Sequence, residues 1–177
     1  MFNKILTTFP ILTTERLTLR QPSESDVQEI LSLRSDISVN KYLGRQLTRT
    51  TDEALAFIQK VNEGFKNNTG LYWGITNSNN KKLVGTICIF NFSDDLKTCE
   101  IGYELLPDYQ RQGIMNEALK KILDFTFQTL EIQTIEAFTH KDNLSSTQLL
   151  EKFHFEKTTF VDEENPDLIA FYLSNKK

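Results

Sequence analysis

Polar and apolar residues alternate over residues 16–20, the two-residue period of a strand with one buried face, and Pro22 ends it. Ser23 or Ser25 then caps a helix in which Val27, Ile30, Leu31 and Leu33 recur at helical spacing. A second helix is predicted over Thr51–Lys66, with Leu55, Ile58, Val61 and Phe65 at three- and four-residue intervals, and residues 67–70 stop it. Two apolar runs follow, 71–76 and 83–92. The turn residues Asn77, Ser78, Asn79 and Asn80 between them make the pair a β-hairpin. After a turn at 93–97, residues 98–106 give the next strand of an antiparallel meander. The long helix after Gly113 buries Met115, Leu119, Ile122, Thr126 and Leu130. Residues 134–139 form a strand, 143–153 a short helix, and 155–161 with 168–173 a closing strand pair. The order β-α-α-β-β-β-α-β-α-β-β is mixed α/β.

A length of 177 residues is that of one domain, residues 1–177, with enough chain for a substantial core. No apolar stretch approaches the ~20 residues that span a bilayer. The N-terminus has no basic region followed by a long apolar one and a cleavage site, so a cytoplasmic location and no membrane partner are expected. Cys88 and Cys99, the two cysteines, lie in neighbouring strands and are read as buried thiols, not as a disulfide. The net charge of −4, with no stripe of lysine and arginine, argues against nucleic acid as a partner. Mild acidity would steer a cationic amine inward, but it serves solubility equally well. Two histidines and two cysteines at no ligand spacing give no support to a metal site.

Residues 105–119 change the picture most. An apolar strand breaks at Pro107 and Asp108, and a polar loop with one glycine feeds directly into a long amphipathic helix. The first turn of a helix carries unpartnered N–H groups and partial positive charge, which suits an anion. Gly113 lets backbone approach a ligand closely, and Gln110, Arg111 and Gln112 add donors around it. An ordinary strand-to-helix turn has the same outline. The chain contains neither G-x-x-x-x-G-K-[ST] nor G-x-G-x-x-G, which excludes those two nucleotide-binding motifs.

Gln110-Arg111-Gln112-Gly113-Ile114-Met115 resembles the Q/R-x-x-G-x-G/A loop of the GNAT acetyltransferase superfamily. Glu100-Ile101-Gly102-Tyr103 and Asn116-Glu117-Ala118-Leu119 resemble its ribosomal-protein (RimJ/RimL-like) branch. The similarity runs over about residues 14–173, with Met115 departing from the usual Gly or Ala. It implies the GNAT fold, a central mostly antiparallel sheet with helices on both faces, and acetyl-CoA as cosubstrate. On that resemblance Gln110, Arg111, Gln112, Gly113, Ile114, Met115 and Asn116 hold the pyrophosphate. Main chain at Leu105 and Leu106 meets the pantetheine arm and supplies an oxyanion donor.

Glu100 matches the strand carboxylate that takes a proton from the amine in some members, with Glu104 as substitute; a solvated strand glutamate is the plain alternative. Asn143-Leu144-Ser145-Ser146 and the segment to Phe155 resemble the family's N-x-x-S/A…L-Y-E-K-x-G-F pattern. There Asn143 and Ser146 contact the cofactor, and Asn143 is also a natural helix cap. Leu150 replaces the tyrosine that often protonates the thiolate, which moves that role to Ser146 or to water. His154 replaces the turn glycine and suits a left-handed capping position. Asn40-Lys41-Tyr42-Leu43 resembles an acceptor-pocket segment. Tyr42 and Asn91 are the substrate-side candidates, and Trp73 and Phe92 suit the core.

The function implied is transfer of acetyl from acetyl-CoA to a primary amine, a protein N-terminal α-amine first, by direct aminolysis in a ternary complex. The residues leave open a small-molecule amine (polyamine, aminoglycoside or amino acid) and an acyl-CoA-binding module without chemistry. They also leave open a monomer or a homodimer.

Overall fold

A computed structural model describes residues 6–79, 81–159 and 162–175. The elements are β1 (Leu12–Thr13), β2 (Leu17–Arg20), a 3₁₀ turn (Glu24–Asp26), α1 (Val27–Ser35), α2 (Ile37–Asn40), α3 (Thr51–Lys66), β3 (Gly70–Asn77), β4 (Leu83–Phe90), β5 (Thr98–Leu105), a second 3₁₀ turn (Pro107–Tyr109), α4 (Ile114–Gln128), β6 (Thr134–His140), α5 (Leu144–Lys152), β7 (Glu156–Lys157) and β8 (Leu168–Ser174). The strands form one sheet in the order β1-β2-β3-β4-β5-β6-β8-β7. Every neighbouring pair is antiparallel except β5 and β6. This is the mixed α/β GNAT-like architecture that the sequence implied.

The alternation of the strands sorts side chains onto two faces. Leu71, Trp73, Ile75, Ile87, Ile89, Cys99, Ile101 and Leu105 pack with Met115, Ala118, Leu119 and Ile122 of α4 in the large core. Ile30, Ala54, Ile58 and Leu83 form a smaller core with α1 and α3. A bulge between Ile75 and Thr76 shifts the β3–β4 register beside Leu83 and Val84, which pack in the smaller and the large core respectively. Trp73 is fully buried, and its indole N–H donates to the Pro10 carbonyl (2.8 Å), so it is core as expected.

Several expected boundaries move. Strand 83–92 ends at Phe90 because Asn91 takes φ +50°, and strand 98–106 ends at Leu105 before the Pro107 turn. Leu130 is buried but lies beyond α4, which stops at Gln128. The strand over 155–161 shrinks to Glu156–Lys157; Phe160 and Val161, like Asn80 of the hairpin turn, lie outside the described residues. The sequence reading contained neither β1 nor α2. Cys88 and Cys99 are free thiols on opposite faces, and burial pushes each up to about 12.

Candidate active site

The site starts with a seam. β5 and β6 pair only at Thr98↔Thr134, Cys99↔Ile135 and Glu100↔Glu136, after which the two parallel strands separate. The Leu106 N–H donates to the Val84 carbonyl (2.9 Å), and antiparallel alternation then gives Glu104, Gly102 and Glu100 the hydrogen-bonded pairings to β4. The peptide groups of Tyr103 and Leu105 therefore face the widening gap. Gly85 permits this close packing, since a Cβ there would stand 2.5 Å from the Glu104 carbonyl oxygen. The Leu105 N–H thus lies where the resemblance implied a main-chain contact, while its carbonyl accepts from Gln110 Nε2 (3.0 Å). Leu106 does not fit that role, because its N–H is held by Val84 and its carbonyl accepts from the Tyr109 N–H (3.0 Å).

The loop beyond β5 is built to expose donors. Arg111 has φ +58° and Gly113 has φ +77°, so the chain turns through two left-handed residues before α4. Within the described residues, none of the six N–H groups from Arg111 to Asn116 has an acceptor; the helical ladder begins with the Glu117 N–H on the Gly113 carbonyl (3.1 Å). The glutamine amides brace the loop instead of adding free donors. Gln110 Nε2 donates to the Leu105 carbonyl (3.0 Å) and Gln112 Nε2 to the Asp108 carbonyl (2.6 Å). Ile114 and Met115 point into the core with their N–H groups unpaired, so the bulk of Met115 does not obstruct the turn. The Asn116 Oδ1 is buried without a partner.

Arg16 was not singled out in the sequence, yet it locks this loop. Its guanidinium pairs with Glu117 (2.7 Å) and donates to the Gln112 carbonyl (3.3 Å), while Glu117 also accepts from the Thr14 hydroxyl and the Arg16 N–H. Burial pushes the Glu117 carboxyl up, but the Thr14 and Arg16 hydrogen bonds prevail and hold it below its usual range.

α5 approaches the gap from the other side. Asn143 caps it, its Oδ1 accepting from the Ser146 N–H (3.3 Å), and His154 ends it at φ +63°, with the Phe155 N–H on the Leu150 carbonyl (3.0 Å). Leu150 is core. The Ser146 hydroxyl meets the Tyr103 hydroxyl at 2.9 Å, a contact the sequence reading missed because 43 residues separate the two.

On the opposite face Glu100 is half-buried and accepts from Asn91 Nδ2 (2.9 Å), which brings two expected site residues together. Glu104 lies deeper, 7 % exposed, and pairs with Arg45 (2.5 Å) while accepting from Tyr72 (3.2 Å) and Thr86 (3.3 Å). Glu104 is thus engaged by three side chains, whereas Glu100 accepts from Asn91. Tyr42 stacks on His140 of β6, with ring centroids 5.1 Å apart. The four residues from Tyr42 to Arg45 thus tie to both β5 and β6, forming a strap across the gap. Arg45 also donates to the Asn40 side chain (2.6 Å), which is itself buried and held by the Leu33 and Asp36 carbonyls.

A row of free N–H groups at a helix start and outward-facing peptide groups on a splayed strand are complementary to a diphosphate joined to an amide-bearing arm. No group of three or more potential metal ligands occurs among the described residues. No described helix is long and apolar enough to cross a membrane.

Comparison with known proteins agrees. Residues 16–156 match the acetyltransferase (GNAT) domain family. The chain is 34 % identical over 149 residues to the uncharacterized N-acetyltransferase YoaA of Bacillus subtilis, covering 84 % of each. It is 24 % identical over 163 residues to the [ribosomal protein uS5]-alanine N-acetyltransferase of Escherichia coli, covering 86 % of this chain and 81 % of that one. Among solved structures, spermidine N-acetyltransferase from Vibrio cholerae, in complex with CoA and spermine, superposes with a TM-score of 0.80 at 19 % identity, over 93 % of this chain and 98 % of that one. The chain belongs to the GNAT family, and its activity class is acetyl-CoA-dependent acetyl transfer.

Proposed function

We propose that this protein transfers the acetyl group of acetyl-CoA to a protein N-terminal α-amine, in a ternary complex and without a covalent enzyme intermediate. The six unpartnered N–H groups from Arg111 to Asn116, opening onto the separated β5 and β6, carry the cofactor half of this reading. They hold the pyrophosphate, and the pantetheine arm lies along Tyr103 and Leu105, whose N–H groups also suit a developing oxyanion. Asn143 and Ser146 flank the thiol end. Glu100, oriented by Asn91, takes the amine proton, and Tyr42 walls the acceptor side. Orientation of the two substrates alone supplies roughly 7–11 kcal/mol of the barrier reduction. The N-terminal acceptor rests on the likeness to the uS5-alanine enzyme across most of both chains.

The strap from Tyr42 to Arg45 favours a second reading, a small polyamine acceptor, because it narrows the approach to the seam. Thiol release from acetyl-CoA, measured with Ala- and Ser-initiated peptides and with spermidine, decides between them. Turnover on peptides is expected. Turnover on spermidine alone selects the small-amine reading, and CoA binding with no turnover on either marks a binding module.

A further inference from the structure

We propose that Tyr103 is a positioning residue for thiolate departure: its hydroxyl donates to Ser146, so that the Ser146 proton is directed at the sulfur of the cofactor. The inference rests on the acetyl-transfer reading. Tyr103 stands three residues past the last β5–β6 pair, where its strand has separated from β6, and its hydroxyl bridges 2.9 Å to the first turn of α5. The serine is fixed from behind by the Asn143 cap. Leu150, where the family pattern carries a tyrosine, is 1 % exposed and has no hydroxyl, so the phenol reaches this place from the strand and not from the helix.

Each hydroxyl has one proton. If Tyr103 donates to Ser146, the serine proton is left to point away from the tyrosine, toward whatever lies between α5 and β5. Burial pushes the Tyr103 phenol up to about 12, against a downward pull from its Ser146 bond, so it keeps its proton at neutral pH. A free thiol titrates near ~8.5, about three and a half units lower, so full proton transfer from the phenol to the thiolate runs uphill. The pair therefore acts by donation. The amine attacks, the C–N bond forms, the C–S bond breaks with its electron pair passing to sulfur, and the thiolate accepts the Ser146 hydrogen bond. The amine proton leaves through Glu100, and sulfur takes its own proton from solvent after departure, so both hydroxyls end as they began.

The test is the titration of the CoA thiol bound to the protein, followed by thiolate absorbance, beside calorimetric CoA affinity. Donation to the thiolate lowers the thiol pKa below that of free CoA. Tyr103→Phe, which keeps the ring in place, should raise it by about half to one unit and lower kcat about tenfold, with CoA affinity within twofold. Ser146→Ala should do the same, and the double variant should add nothing further. A thiol titration unmoved by Tyr103→Phe overturns the proposal, as does a loss confined to CoA affinity, which would make Tyr103 a tether for α5. Failure of the unaltered protein to bind CoA overturns the acetyl-transfer reading and this inference with it.

Discussion

Gly113 does its work through backbone alone. A Cβ there would meet only Arg16 Nη2, at 3.5 Å, so the restriction is the φ of +77° and not space. Gly113→Val forces a β-branched residue into left-handed backbone, at a cost of about 1–2 kcal/mol. Because the turn relaxes by rotating the very N–H groups proposed to hold the pyrophosphate, CoA should bind at least tenfold more weakly while unfolding free energy falls only by that small amount. Calorimetry beside urea denaturation checks both. Gly113 was legible in the sequence as the one glycine of the loop, read there for close backbone approach, while its left-handed φ emerges only from the structure. Arg16, Arg45 and Tyr103 were not. Their partners Glu117, Glu104 and Ser146 lie 101, 59 and 43 residues away, and nothing local in an arginine or a tyrosine reveals a partner that only the tertiary fold supplies.

Among elements, the joint between β2 and α1 is the clearest single dependence. Arg20 at the end of β2 pairs through both terminal nitrogens with Asp26 (2.6 and 2.7 Å), and Asp26 also accepts from the Ser23 N–H to close the capping box. Burial pushes the Asp26 carboxyl up, but the bonds from Arg20 and Ser23 outweigh it and hold the group below its usual range. A lowered value means that this stability is present above the unfolded-state pKa of about 3.9 and is lost as pH falls toward the folded one. Asp26→Asn should cost about 2 kcal/mol near pH 7, less than a fully buried pair because Arg20 is 25 % exposed. Urea unfolding as a function of pH should show the gap between the two proteins closing below about pH 4. Long periodic elements such as α3 and α4 were readable from their apolar spacing alone. β1 and α2, of two and four residues, are too short to leave a period to detect.

The whole molecule is one sheet made of two antiparallel parts joined by a short parallel seam. Antiparallel pairing runs from β1 to β5 and again through β6, β8 and β7, and the two parts pair at Thr98, Cys99 and Glu100 with their three partners, beside the Gln133 and Thr134 N–H groups on the Lys97 carbonyl (2.8 and 2.9 Å). The sequence indicated an α/β order but not where the sheet would part, because separation of two strands is a property of their different continuations and not of their composition. A pantetheine arm carries amides of its own. Laid beside Tyr103 and Leu105 it would act as a surrogate strand, so hydrogen exchange at those two amides should slow on adding CoA while the β3–β4 amides stay as they were; unchanged exchange at both would remove the arm from β5. The molecule would then borrow part of its rigidity from its own reactant, stiffening with each loading and slackening with each product release, so that working temperature limits would track cofactor supply.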